Sequence, residues 1–120
     1  MKEYRPIMTT IIHSKGFPLT SEARAHLMRR FTFALCRFED QITMTEVYFK
    51  DLNGAGKGGE DKSVLVKIRL RGRPPVVVET VSHDLYIAIS VAAKRCKRAV
   101  RRNLKFSRRI RHMGLRQLPT

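Results

Sequence analysis

A chain of 120 residues with 25 Lys and Arg against 10 Asp and Glu carries a formal charge of +15, which is length for one ordinary domain and too little for two. Its 42% hydrophobic content excludes a disordered polycation and predicts a modest core beneath a charged surface. No apolar run approaches the roughly 18 residues of a membrane span, and the first residues lack the apolar block and cleavage site of a secretory leader, so the expected location is cytoplasmic.

Residues 5–13, RPIMTTIIH, are rich in β-branched types and predict a first strand that Gly16 and Pro18 stop. Thr20 is placed to cap a helix over 20–37, with Glu22 in its first turn. Ala23, Leu27, Phe31, Ala34, Leu35 and Phe38 form its apolar stripe, and Arg24, Arg29, Arg30 and Arg37 its other face. ITMTEVYFKDL (42–52) favours a strand, and the glycine-rich stretch after it a flexible connection. SVLVKIRLR (63–71) alternates Val64, Val66, Ile68 and Leu70 with Leu65, Lys67, Arg69 and Arg71, the pattern of a strand packed on one face and wet on the other. GRPP reads as a hairpin connection into the strand PVVVETV. Ser82 then caps a long helix with Asp84 at its positive end. Leu85, Ala88, Ile89, Ala92, Cys96, Val100 and Leu104 carry its stripe to about residue 105.

The order β-α-β-β-β-α predicts an α+β fold: an antiparallel sheet with both helices packed on one face. Residues 1–105 read as one domain and 106–120 as a basic, mobile tail, since Gly114 and Pro119 work against a regular end.

Most candidate chemistry fails on context. Gly54-Ala-Gly56-Lys-Gly-Gly59 matches the dinucleotide fingerprint in letters, but a polar turn and a strand follow where that site needs a helix N-terminus. His13, His26, His83 and His112 are scattered, with no Cys or carboxylate at ligand spacing, so no metal or other cofactor is expected. Cys36 and Cys96 lie in helical apolar patterns and read as free thiols of a reducing compartment. Capping accounts for Ser82 and Asp84 without acid–base chemistry. An enzyme, and with it a small-molecule substrate, is therefore not expected.

The charge is one-sided. Residues 1–84 hold 14 basic and 10 acidic residues, whereas the last 36 hold 11 basic and none acidic. A solvated helix face normally mixes signs at four-residue spacing; here Lys94, Arg95, Lys97, Arg98, Arg101, Arg102 and Lys105 surround the apolar stripe with no carboxylate among them. Like charges at that spacing cost a few tenths of a kcal/mol per pair, a cost that phosphate contact relieves. Arg outnumbers Lys in this region, which suits bidentate phosphate binding. The sheet's open face offers Lys67, Arg69 and Arg71 rather than exposed aromatics, so backbone and shape recognition of a folded RNA is expected over base stacking. An anionic membrane is the rival polyanion. Residues 106–120 lack the apolar face that such binding buries, so no membrane partner is expected.

SHDLYIAISVAAKRCKRAVRRNLK (82–105) resembles the signature of the ribosome hibernation-promoting factor and ribosome-associated inhibitor A (factor Y) family, whose segment has an Asp, a Leu or Met and a Tyr, then Ala-Ile-Asp and a basic helix. Asp84, Leu85, Tyr86, Ala88 and Ile89 match directly, and Arg95, Arg98, Arg101 and Arg102 fall at its basic positions. IIHSKGFPLTSEARAHL is similar to its strand, turn and capped helix start. Ser90 stands where an Asp is usual, and Lys94 and Lys97 where acidic residues are common. The glycine loop is longer than in many members, and a short form without the appended dimerisation domain of the long forms is expected. The resemblance implies a fold similar to the double-stranded-RNA-binding domain. It also implies a small-subunit partner, with rRNA contact at the decoding region that blocks tRNA and mRNA binding under stress, and a monomer off the ribosome. The expected contact residues are the seven cations from Lys94 to Lys105, with Arg24, Arg29 and Arg30 in second rank. A general binder of double-stranded or structured RNA is the alternative.

Overall fold

The computed structural model describes residues 9–14, 18–52 and 61–112, with side chains of the last helix described as far as Lys105. In chain order the elements are β1 (Thr10–His13), α1 (Ser21–Leu35), a single 3-10 turn (Cys36–Phe38), β2 (Ile42–Asp51), β3 (Lys62–Leu70), β4 (Arg73–Ser82) and α2 (Leu85–His112). This is the α+β order expected. The part of the first predicted strand in residues 5–8, its stop at Gly16, and the glycine loop 54–59 lie outside the described residues.

The four strands lie in sequence order across one sheet. β2–β3 and β3–β4 are antiparallel, but β1 runs parallel to β2, with Ile12 opposite Val47. The sheet is therefore mixed, which corrects the expected all-antiparallel arrangement. The cause is connectivity: α1 is a crossover that carries the chain back to the end from which β1 started, so the next adjacent strand must run parallel.

Both helices cover one face, as expected. Val47 is opposite Val66 and Val66 opposite Val78, so one row of branched side chains crosses the sheet and meets the helices. Leu27, Phe31 and Leu35 of α1, Val64, Val66 and Ile68 of β3, and Ile89, Cys96 and Val100 of α2 are all buried in one core. Ala88, Ala92 and Ala93 are buried, and their small side chains let α2 lie close to the sheet. Thr80, a buried polar residue, donates its hydroxyl to the Ala88 carbonyl at 3.0 Å, satisfying the group and tying β4 to the first turns of α2.

The β3–β4 hairpin is tighter than the predicted four-residue connection. Leu70 already pairs with Arg73, leaving Arg71 and Gly72 as the turn, with Gly72 at φ +72° where a side chain is disfavoured. Pro74 and Pro75 lie inside β4, which is tolerated because β4 is an edge strand with one unpaired side.

The helix caps also differ in detail. Thr20 caps α1 as expected, accepting from the Ala23 N–H at 3.1 Å. At α2 the cap is Asp84, whose Oδ1 accepts from the Tyr86 N–H at 2.8 Å and the Ile87 N–H at 3.3 Å, while Ser82 accepts from the Asp84 N–H. α2 then continues beyond residue 105 to His112, because neither Gly nor Pro interrupts it before Gly114. The segment expected to begin a tail thus begins as helix, and residues 113–120 lie outside the described residues. Among the described residues no helix is long and apolar enough to cross a membrane, and no cluster of His, Cys, Asp and Glu could hold a metal ion.

Candidate nucleic-acid interface

The surface of α2 follows from its stripe. Once Leu85, Ala88, Ile89, Ala92, Cys96 and Val100 face the core, a 3.6-residue period leaves Ile87, Val91, Lys94, Arg98, Arg101 and Lys105 in one outward line. Its first two members are apolar and exposed; the rest are exposed cations. The other predicted cations flank this ridge. Arg95 and Arg102 lie on the β4 side with Arg98, in a groove of about 390 Å³ that also contains Glu79, whose backbone carbonyl accepts from Arg95 at 3.2 Å. Lys97 is half-buried and falls on the α1 side, seven residues after Ser90. Among the described residues no carboxylate forms an ion pair with any of the seven. The described ion pairs, Arg69 with Glu46 and His83 with Asp61, lie off α2.

The helices meet along their lengths. His26 Nε2 lies 3.1 Å from the Ser90 hydroxyl and 3.3 Å from the Tyr86 carbonyl, with its ring tilted on the Tyr86 ring at 4.9 Å. Arg30, Phe33 and Arg37 follow His26 at four, seven and eleven residues, so they track α2. Phe33 is 79% exposed. Arg24, by contrast, sits about 160° from His26 around the axis, on the flank away from α2, and Arg29 points between these directions. The structure thus joins Arg30 to the α2 surface and leaves Arg24 apart.

Two cations outside the expected contact set join instead. A cleft of about 410 Å³ between the end of α1, the β3–β4 hairpin and α2 is lined by Arg37, Phe38, Gln41, Arg73, Arg101, Leu104 and Lys105. Arg73 is anchored there by donating to the Asn103 side chain at 3.1 Å. Arg37 was legible as part of the basic face of α1. Arg73 was not, because its approach to α2 depends on the two-residue hairpin turn.

The open face of the sheet departs from expectation: Arg71 falls in the hairpin turn, Arg69 pairs with Glu46, and an aromatic is present. Tyr48 stands on it, stacked on His13 with ring centroids 4.4 Å apart and planes 7° from parallel. Both cysteines are free thiols: Cys96 is buried, whereas Cys36 is exposed. Burial pushes the Cys96 thiol up to about 12.

The family model described as Sigma 54 modulation protein / S30EA ribosomal protein matches residues 10–107. The chain belongs to this family. The match runs from β1 past Lys105, so all seven α2 cations fall within the S30EA region. Among solved structures, a ribosomal subunit interface protein from Coxiella burnetii is similar with a TM-score of 0.63 and 15% identity, over 81% of this chain and 99% of that one. The N-terminal domain of Thermus thermophilus Protein Y is similar with a TM-score of 0.61 and 25% identity, over 79% and 96%. No curated protein matches the chain in sequence.

Proposed function

We propose that this S30EA-family chain is a ribosome-associated translation inhibitor that binds small-subunit rRNA through α2. Family membership and the names of the two structural neighbours support the ribosome as partner. The observation that carries RNA contact is the outer face of α2, where seven cations stand without a carboxylate partner among the described residues. Lys94, Arg98, Arg101 and Lys105 form the leading ridge, with Arg95, Arg102, Lys97 and Arg30 beside it.

The mechanism is steric and electrostatic, with no bond made or broken. A protein seated at the decoding region, as the family resemblance implies, occupies the space of tRNA and mRNA and halts translation under stress. Off the ribosome it is a cytoplasmic monomer.

Sedimentation with ribosomes in rising salt tests the reading. Binding should weaken steeply, each neutralised phosphate adding about 0.7 to 0.9 to the log-log slope. Replacing Arg98, Arg101 and Arg102 together with Gln should abolish co-sedimentation; unchanged pelleting refutes the interface. Chemical footprinting of small-subunit rRNA should show protection at the decoding region. Equal affinity for a plain RNA duplex and for ribosomes would instead favour a general RNA-binding module.

A further inference from the structure

The α2 ridge is convex, but the surface beside it is concave. In the cleft at the end of α1, Arg37, Arg73, Arg101 and Lys105 converge from the 3-10 turn, β4 and α2, with no carboxylate among the described lining residues. In the opposite groove of α2, Arg95 donates to the Glu79 backbone carbonyl at 3.2 Å, while the Glu79 carboxylate accepts from Ser63 at 2.9 Å. Like charges gathered from separate elements repel across a short distance, a cost that a bound polyanion removes. At about 410 Å³ the cleft has the size of small-ligand sites. Leu104 supplies an apolar wall backed by the largely buried Phe38, and Gln41 an amide able to both donate and accept. Arg73 is held by Asn103 at 3.1 Å, so one fork of donors is already ordered before any ligand arrives.

We propose that this cleft is a binding site for a free nucleoside di- or triphosphate. The guanidinium groups of Arg37, Arg73 and Arg101, with Lys105, hold the adjacent phosphates, and Leu104 and Gln41 meet the nucleoside. Two of its residues, Arg101 and Lys105, also belong to the proposed RNA face, so nucleotide and RNA compete for part of one surface. The site itself does not depend on the ribosomal reading, because it rests on the cleft alone.

The test is calorimetric titration of the full chain with ATP, inorganic pyrophosphate and adenosine at low and at physiological salt. ATP should bind more tightly than pyrophosphate, and adenosine should show no measurable binding. Arg37→Gln removes an exposed cation with no intramolecular hydrogen bond among the described residues, so it should leave the fold intact and weaken ATP binding at least tenfold. Arg73→Gln should do the same, with circular dichroism checking its folding. The charge-matched control Lys50→Gln, on the open face of the sheet, should leave ATP affinity within twofold. Equal weakening by Arg37→Gln and Lys50→Gln means attraction to net charge only and overturns the site. Absence of ATP binding, with an RNA duplex losing affinity in Arg37→Gln, overturns it too and assigns the cleft to the RNA interface.

Discussion

At the scale of single residues, the two cysteines share a chemistry and differ in environment. Cys36 is exposed in the 3-10 turn after α1, whereas Cys96 is fully buried among core side chains. Thiolate is the reactive form, and burial raises the Cys96 thiol from 9.0 to about 12. A thiol reagent at neutral pH should therefore modify one cysteine in the folded protein and two after denaturation, with mass spectrometry placing the first adduct on Cys36. The same shift has a sign for stability. Native Cys96 holds its proton where the unfolded chain has lost it, so its contribution is complete below about pH 9 and falls as pH rises toward 12. Asp84 offers a second test, because it accepts from two N–H groups at the start of α2 whereas Ser82, among the described residues, accepts from the Asp84 N–H alone. Asp84→Ala should cost about 1 kcal/mol in denaturant unfolding, and Ser82→Ala less.

At the scale of elements, α2 does two jobs with opposed demands. Its inner stripe joins the core, and its outer face collects cations whose mutual repulsion opposes the helix. Neutralising Arg98, Arg101 and Arg102 should accordingly raise the melting temperature of the free protein at low salt while removing ribosome binding; a fall in both would mean that these side chains support the fold. This division was legible in the sequence because a 3.6-residue period and a run of one charge sign are both local signals. The stripes of both helices and the alternation of β3 appear in the structure as read. The positions of Arg73 and Arg24 relative to α2 were not legible, for the opposite reason. Whether a cation reaches α2 depends on a hairpin turn or on the rotation of α1, and neither is a property of the residue's neighbours in the chain. The direction of β1 could have been inferred, since a strand, a helix and an adjacent strand in one sheet imply a parallel pair. The three later strands, joined by hairpins, made an antiparallel sheet the easier generalisation. The length of α2 was underestimated because the apolar stripe was used to end it, whereas helix formers without Gly or Pro extend the backbone to His112.

At the scale of the whole molecule, a charge of +15 should make salt act in opposite directions on folding and on the proposed RNA binding. Ions screen self-repulsion over a Debye length of about 10 Å at 0.1 M, so salt should raise the melting temperature as it releases RNA. Scanning calorimetry and filter binding over one salt series should show the two trends crossing. Core packing sets the remaining stability: Leu27 is fully buried among both layers, and Leu27→Ala should cost about 2 to 5 kcal/mol in denaturant unfolding.

The parallel pairing of β1 predicts an order of assembly. β2, β3 and β4 follow one another through hairpins and can zip together in microseconds. β1 makes four register pairs at the sheet edge and can dock only after α1 has turned the chain around. Its amides should be the first strand amides to exchange with deuterium, ahead of any in β3, which is bordered on both sides. A ligase or protease that acts on local openings would find its substrate at this margin of the sheet, on the far side from the β4 edge that flanks the cationic helix.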